Sequence, residues 1–220
     1  MIPDTRLRIL EAAEQLFSVA GFAATSVREI ATRAEANLAA VNYHFGSKDE
    51  LVREVFARRF GPLNQARVEM LTAAEKIAQG RPVALDAIVR AMVSPALRLG
   101  ADQGHACMTL MGRLHSEPPS FVAELFRDLF RDVRERFVTA LTRSAPHLAP
   151  GETFLRMYFV VGAMAHTMVA SHKLEVMSMG LCRGDDVDWI EHQLVTFGVA
   201  GLQSPSRPAP TRPATPTEGP

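Results

Sequence analysis

The chain has 220 residues, 47 % of them hydrophobic, with 24 basic side chains set against 24 acidic ones. That is enough apolar matter for one large helical domain or two smaller ones, and a net charge of zero argues against a protein that holds polyanions by bulk charge alone. Two cysteines, Cys107 and Cys182, fit reduced thiols of a cytoplasmic protein better than a secreted disulfide scaffold.

The N-terminal run MIPDTRLRIL lacks the apolar core of a secretory signal. The longest apolar stretch, MYFVVGAMAHTMVA from Met157, falls short of the roughly 20 residues a membrane span needs and contains His166. No membrane association is expected.

Helical spacing runs through almost the whole chain, with no strand-like alternation of any length. A first helix is predicted over 4–20, with Leu7, Leu10, Ala13, Phe17 and Ala20 on one stripe and Arg6, Glu11, Glu14 and Ser18 away from it. Gly21 stops it. SVRE then offers a capping box, Ser26 with Glu29, opening a short helix that turns Val27, Ile30 and Ala31 inward. Asn37 caps a third helix that stops at Gly46. Ser47 with Glu50 forms a second box, starting a fourth helix predicted to reach about Arg59 before Gly61–Pro62 interrupts it. Longer amphipathic segments follow at 62–78, 83–99, 102–115, 119–144, 150–179 and 186–202. Gly80, Gly100 and Pro118–Pro119 punctuate them. From Gln203 the Pro/Thr/Ser-rich run cannot bury apolar surface and is expected to be disordered.

The expected architecture is all-α. A three-helix helix-turn-helix domain (1–60) is joined by the fourth helix to a helical-bundle ligand-binding and dimerisation domain (61–202), followed by a tail (203–220). Leu10, Phe17, Val27, Ile30, Val41, Phe45 and Leu51 would form the small core. The third helix is short, capped at both ends, and buries Val41 and Phe45, which leaves Ala39, Ala40, Asn42, Tyr43 and His44 facing out. Such a smooth face fits a major groove about 12 Å wide. Asn42 can bond a base edge or a phosphate, while Tyr43, His44 and Lys48 are donors for phosphate oxygens. The helix N-termini at Ser26 and Ser47 add backbone N–H groups. Against this, eight basic and eight acidic groups in 1–60 cancel, as in an ordinary helical hairpin.

The run ILEAAEQLFSVAGFAATSVREIATRAEANLAAVNYHFGSKDELV resembles the DNA-binding domain of the TetR family of transcriptional regulators. AAEQLF…GF, TSVREIA and YHF followed by SK carry the resemblance. It implies a homodimer reading a palindromic operator, with Ser26 beside a phosphate and Leu38, Ala39 and Asn42 on the recognition face. Tyr43, His44 and Lys48 fall at backbone-contacting positions, and Thr25, Arg28 and Asn37 complete the candidate DNA-binding set. Two departures stand out. Glu35 occupies a turn position usually held by Gly, so either it adopts a left-handed conformation or the turn differs. Leu38 and Ala39 stand where Lys and Gly are common, which shifts weight toward apolar contact with thymine methyls.

Residues 62–202 contain no HExxH, ExxH pair, GxSxG, P-loop or GxGxxG, so no catalytic residue, metal site or cofactor is expected. Methionines concentrate here, and with neighbouring phenylalanines they suit a deformable apolar pocket as well as plain core filling. The candidate lining is Met108, Met111, Arg113, Phe121, Phe126, Met157, Phe159, Met164 and His166. Arg98, Arg113, His115, Arg127 or His166 could meet a polar head. LMGRLHSEP and APHLAPGETFLRMYFVVGAMAHTM resemble a fatty-acid- or acyl-CoA-responsive repressor subgroup of the same family, which implies release from DNA by an acyl ligand.

Residues 150–202 carry apolar side chains on more than one face, with Gly162, Gly198 and Gly201 allowing close approach. Either a larger core or a four-helix dimer interface explains that, and the resemblance favours the dimer. Three other readings remain open: a regulator sensing an unrelated drug or metabolite, an all-helical acyl-binding enzyme or carrier, and a pure interaction module.

Overall fold

The computed structural model describes residues 4–99, 101–114 and 118–206, all of them in helices or the turns that join them. The head is built from α1 (Thr5–Ala20), α2 (Val27–Arg33) and α3 (Leu38–Phe45). Asp4 caps α1 by accepting from the Arg6 N–H at 3.2 Å, and Gly21 ends it at φ +87°. Its buried side is wider than one stripe: Ile9, Leu10, Ala12, Ala13, Glu14 and Phe17 are inside, whereas Leu7 and Ala20 are exposed. The reason is that α1 packs on α2 and α3 on one side and on α4 (Lys48–Ala78) and α6 (Ala101–Arg113) on the other. Glu14 tolerates burial because the Arg59 guanidinium of α4 sits directly on it.

The expected break at Gly61–Pro62 does not occur. α4 runs unbroken for 31 residues with Pro62 inside it. A proline in a helix interior removes one hydrogen bond and costs about 3 kcal/mol. Buried Phe56 and Phe60 before it, and Leu63 and Leu71 after it, offset that cost by anchoring the helix on both sides of the proline. Phe60 stacks on Phe56 and meets Phe130 edge-on at 5.9 Å. Residue 60, the expected boundary, therefore falls inside one continuous helix that packs on both halves.

The body continues through α5 (Leu85–Leu97), α6, α7 (Pro119–Ser144), α8 (Pro150–Met177) and α9 (Val187–Gln203). α5 is its central helix, packed by α4, α7, α8 and α9. Gly198 of α9 is required there: a Cβ would come within 3.0 Å of Val89 and 3.1 Å of Val160. Gly198 thus serves close packing within the chain, while Gly162 and Gly201 lie on exposed faces. Glu191, also of α9, is buried between Arg90 (2.7 Å) and Arg98 (2.8 Å), tying α9 to α5.

One face of α8 and α9 remains uncovered and apolar, with Phe154, Leu155, Tyr158, Phe159, Val169 and Phe197 exposed. By length and composition, Pro150–Ser171 reaches what a membrane crossing needs, contrary to the sequence reading, since the helix also takes in Phe154 and Leu155 ahead of Met157. Gln203 closes α9 rather than opening the tail. Arg156 then holds the carbonyls of Gly201 (2.8 Å), Ser204 (2.6 Å) and Pro205 (2.9 Å). The rest of the tail, 207–220, lies outside the described residues.

Candidate nucleic-acid interface and effector site

α2 and α3 owe their shape to local chemistry. The Glu29 N–H donates to Ser26 Oγ (3.2 Å) and the Ser26 N–H to Glu29 Oε2 (2.6 Å), a complete capping box. These Ser26 donors hold the Glu29 carboxyl below the usual carboxylate range, with a smaller contribution from Lys48. Lys48, the first residue of α4, thus stands near the N-terminus of α2. At the other end of α2, the Ala36 N–H reaches Ala31 O (3.0 Å) and the Glu35 N–H reaches Thr32 O (3.2 Å). This is a Schellman turn with Glu35 at φ +49°, so the left-handed alternative is the one realised. Asn37 Oδ1 then accepts from the Ala40 N–H at 2.6 Å and opens α3. At Ser47 only half of the expected box forms: Ser47 Oγ accepts from Glu50, but the Glu50 carboxylate faces Arg53 at 3.5 Å.

α3 buries Val41 and Phe45 and leaves Asn37, Leu38, Ala39, Asn42 and Tyr43 exposed, Tyr43 at 85 %. His44 is half-buried and meets the Tyr43 ring edge-on at 5.3 Å. Behind them the Arg6 guanidinium lies over the Phe45 ring and pairs with Glu54 at 2.8 Å, so α3 is backed by α1 and α4. Ser26 and Arg28 are exposed on the adjoining start of α2. Lys48 is half-buried, its ammonium 3.4 Å from Ala23 O. Thr25 does not join this surface. It is 2 % exposed and its hydroxyl donates to Gly21 O at 2.8 Å, so the side chain fixes the turn and cannot be offered to a ligand.

The charge balance of the head also resolves in space. Arg6, Arg53, Arg58 and Arg59 are tied to carboxylates of Glu54, Glu50, Glu11 and Glu14. Among the described residues, Arg8, Arg28, Arg33 and Lys48 make no ion pair. Asp4 and Glu29 serve as caps, and with Glu35 and Asp49 they are the four carboxylates that balance those four cations. The head therefore stays neutral, and what suits it to phosphates is the placement of Arg28 and Lys48, without ion pairs, at the starts of α2 and α4 beside exposed Ser26.

Of the predicted effector lining, Met157 and Met164 are buried in the body, and Met108 and Met111 are partly buried. The remainder lie elsewhere. Phe159 (57 % exposed) and His166 face outward on α8, because successive turns of that helix carry them opposite Met157 and Met164. Phe126 lies on the surface against Phe130. Arg113 is committed to α1, donating to the carbonyls of Ser18 (2.9 Å) and Val19 (2.8 Å). Phe121 lies under the Arg53 guanidinium and lines a half-open cavity of about 160 Å³ with Phe22, Ala23, Lys48, Asp49, Val52 and Pro118, between head and body. Arg98 is taken by Asp188 and Glu191, Arg127 is exposed, and His115 lies outside the described residues.

The residue missed from sequence is Arg67. It is buried in α4, with Nε donating to Met92 O (2.9 Å), Nη1 to Asn64 Oδ1 (3.2 Å) and Nη2 to Met164 Sδ (3.4 Å). The signal was present, since Phe60, Leu63, Asn64, Arg67 and Leu71 follow helical spacing along one buried stripe.

Comparison with known proteins matches residues 9–55 to the family model "Bacterial regulatory proteins, tetR family" and residues 90–201 to "Tetracyclin repressor-like, C-terminal domain". Among curated relatives, the HTH-type transcriptional repressor Rv3405c of Mycobacterium tuberculosis is 53 % identical over 47 residues, 21 % of this chain. The match spans only 25 % of that relative's length. Among solved structures, the fatty acid degradation regulator FadR of Bacillus halodurans superposes with a TM-score of 0.65 at 13 % identity, covering 92 % of this chain and 98 % of the other. A complex of SmeT with triclosan superposes at 0.61 and 21 % identity, covering 94 % and 99 %.

Proposed function

Since this chain belongs to the TetR family of bacterial regulatory proteins, we propose that it is a transcriptional regulator of repressor type. In this reading it binds a palindromic DNA operator as a homodimer and is released by a small apolar effector. The observation that carries the proposal is α3: two buried anchors, an outward face of Asn42 and Tyr43, and cations without ion-pair partners around it. Leu38, Ala39 and Asn42 are assigned to base edges, and Ser26, Arg28, Tyr43, His44 and Lys48 to the phosphate backbone.

The exposed apolar face of α8 and α9 supports the homodimer. Two such faces closing on each other would set the recognition helices about one DNA turn, ~34–36 Å, apart. For the effector, a methionine-rich interior around Met157 and Met164 favours a flexible apolar molecule, and a fatty acid or acyl-CoA is the class we assign. FadR of B. halodurans, a fold neighbour, regulates fatty acid degradation. SmeT, which shares the fold, was solved with triclosan, so an unrelated drug-like effector is the second reading.

Coupling runs along α4, which carries Lys48 at one end and is packed into the body over its second half. Arg53 clamps α4 to Glu124 (3.2 Å) and Asp128 (2.9 Å) of α7, while Arg113 pulls on the last turn of α1. An effector that favours one packing of the body shifts both levers. By linkage, operator DNA must then weaken effector binding by the factor by which effector weakens DNA binding. The test is a titration of a labelled operator complex with long-chain fatty acids, acyl-CoAs and a panel of aromatic drugs. Release by the lipids alone supports this function, and release by the drugs alone moves the effector to the second reading. Tight lipid binding by a protein with no DNA affinity would instead make it a carrier or enzyme.

A further inference from the structure

Among the described residues of the body two charged side chains are buried, and they are treated differently. Glu191 is met by two arginines. Arg67, only 6 % exposed, has three neutral contacts: a carbonyl, an amide oxygen and a thioether sulfur. A guanidinium has five N–H donors. Two of those on Arg67 therefore have no acceptor among the described residues, and a third is spent on Met164 Sδ, a weak one. No carboxylate among the described residues lies within ion-pair distance of it. Burial lowers its pKa to about 10, so the group is still a cation at neutral pH. A buried charge without a counter-ion is a liability to the fold unless something supplies the opposite charge.

We propose that Arg67 is the anchor of the effector site and that the effector is an organic carboxylate with an apolar body. Its carboxylate would take the two unsatisfied N–H groups, one on each terminal nitrogen, in the paired geometry that guanidinium and carboxylate favour. The apolar body would lie toward the side chains of Met164 and Cys107, both buried near Arg67. This inference rests on the effector-released reading above and narrows it. A free fatty acid has the carboxylate that Arg67 lacks, whereas a thioester has none at that carbon. It also locates the signal, because Arg67 stands on the same unbroken helix as Lys48, about 28 Å along it at 1.5 Å per residue.

The test is calorimetric titration of the full-length protein with medium- and long-chain alkanoates and with aryl carboxylates, each beside its primary amide, and with a long-chain acyl-CoA. Carboxylates should bind about 10- to 100-fold more tightly than their amides, the range of a hydrogen-bonded charge pair. Arg67→Gln should abolish that difference, and Arg67→Lys should restore part of it, with helicity by circular dichroism as the control for folding. Should the Gln variant not fold, the carboxylate-to-amide ratio in the unmodified protein decides alone. Equal binding of acid and amide, or binding of no carboxylate, overturns the proposal. Operator release by acyl-CoA alone would overturn Arg67 as the anchor and leave the acyl reading standing. Arg67-dependent binding of aryl carboxylates alone would keep the anchor and remove the acyl reading.

Discussion

The exposed sides of α3 and α8 make opposite offers. α3 shows Asn42, Tyr43 and an edge of His44, with Arg28 and Lys48 beside them. α8 shows Phe154, Leu155, Tyr158 and Phe159, with Arg156 folded away onto the carbonyls that end α9. The first face is suited to a wet, charged partner whose phosphates supply acceptors. The second is suited to a dry partner, and a second copy of the same face is the simplest one that hides it. On the proposed reading the difference teaches that the two surfaces would do separable work: one would set what is read, and the other how many readers are held together and how far apart.

That separation can be broken. The largest effect is expected from Leu155→Glu combined with Phe159→Glu, which places like charges across the proposed two-fold. Sedimentation should show monomers, and operator affinity should fall by about 100-fold or more as two linked half-site contacts become one. An unchanged dimer would remove α8 from the interface. Next, Asn42→Ala should cost about 1–3 kcal/mol at particular base pairs and relax preference there. Tyr43→Ala should cost about 1 kcal/mol on every sequence alike, as loss of a phosphate contact does. Equal, sequence-independent losses from both would show Asn42 to be misassigned.

The smallest effect sharpens the account of the turn. Glu35→Gly relieves a left-handed non-glycine residue and should stabilise the head by roughly 1 kcal/mol. Thermal unfolding should shift upward by a few degrees, with specificity in the DNA assays unaltered. An unchanged or lower midpoint would mean that Glu35 contributes something that the backbone geometry does not reveal.

What could be read from the sequence follows how far each interaction reaches. Ser26, Asn37 and Ser47 signal helix starts because each cap bonds a backbone N–H three residues away, so motif and contact lie in the same short string. The outward set of α3 is legible for the same reason, since Val41 and Phe45 fix the helix phase. Pro62 misleads because its local preference is overridden by Phe60 and Leu63 packing on α5 and α7, partners distant in sequence. Thr25 misleads in the opposite sense: it stands beside the α2 cap, yet its hydroxyl turns back to Gly21 O. In the body, Phe159 and His166 of the predicted lining face elsewhere because α8 is apolar on two sides, and composition cannot say which side is inside; Arg113, Phe121 and Phe126 are drawn off by partners distant or unmarked in sequence, the α1 carbonyls, Arg53 and Phe130. Arg67 was legible by phase but masked by its charge.

The central claim is that α3 presents a DNA-reading surface held in duplicate by α8 and α9. The most direct measurement is selection of bound duplexes from a random DNA pool by the purified full-length protein, followed by footprinting of the winners. The account predicts an inverted repeat whose half-site centres lie about one helical turn, ~34–36 Å, apart. A folded, dimeric protein that enriches no sequence would contradict it.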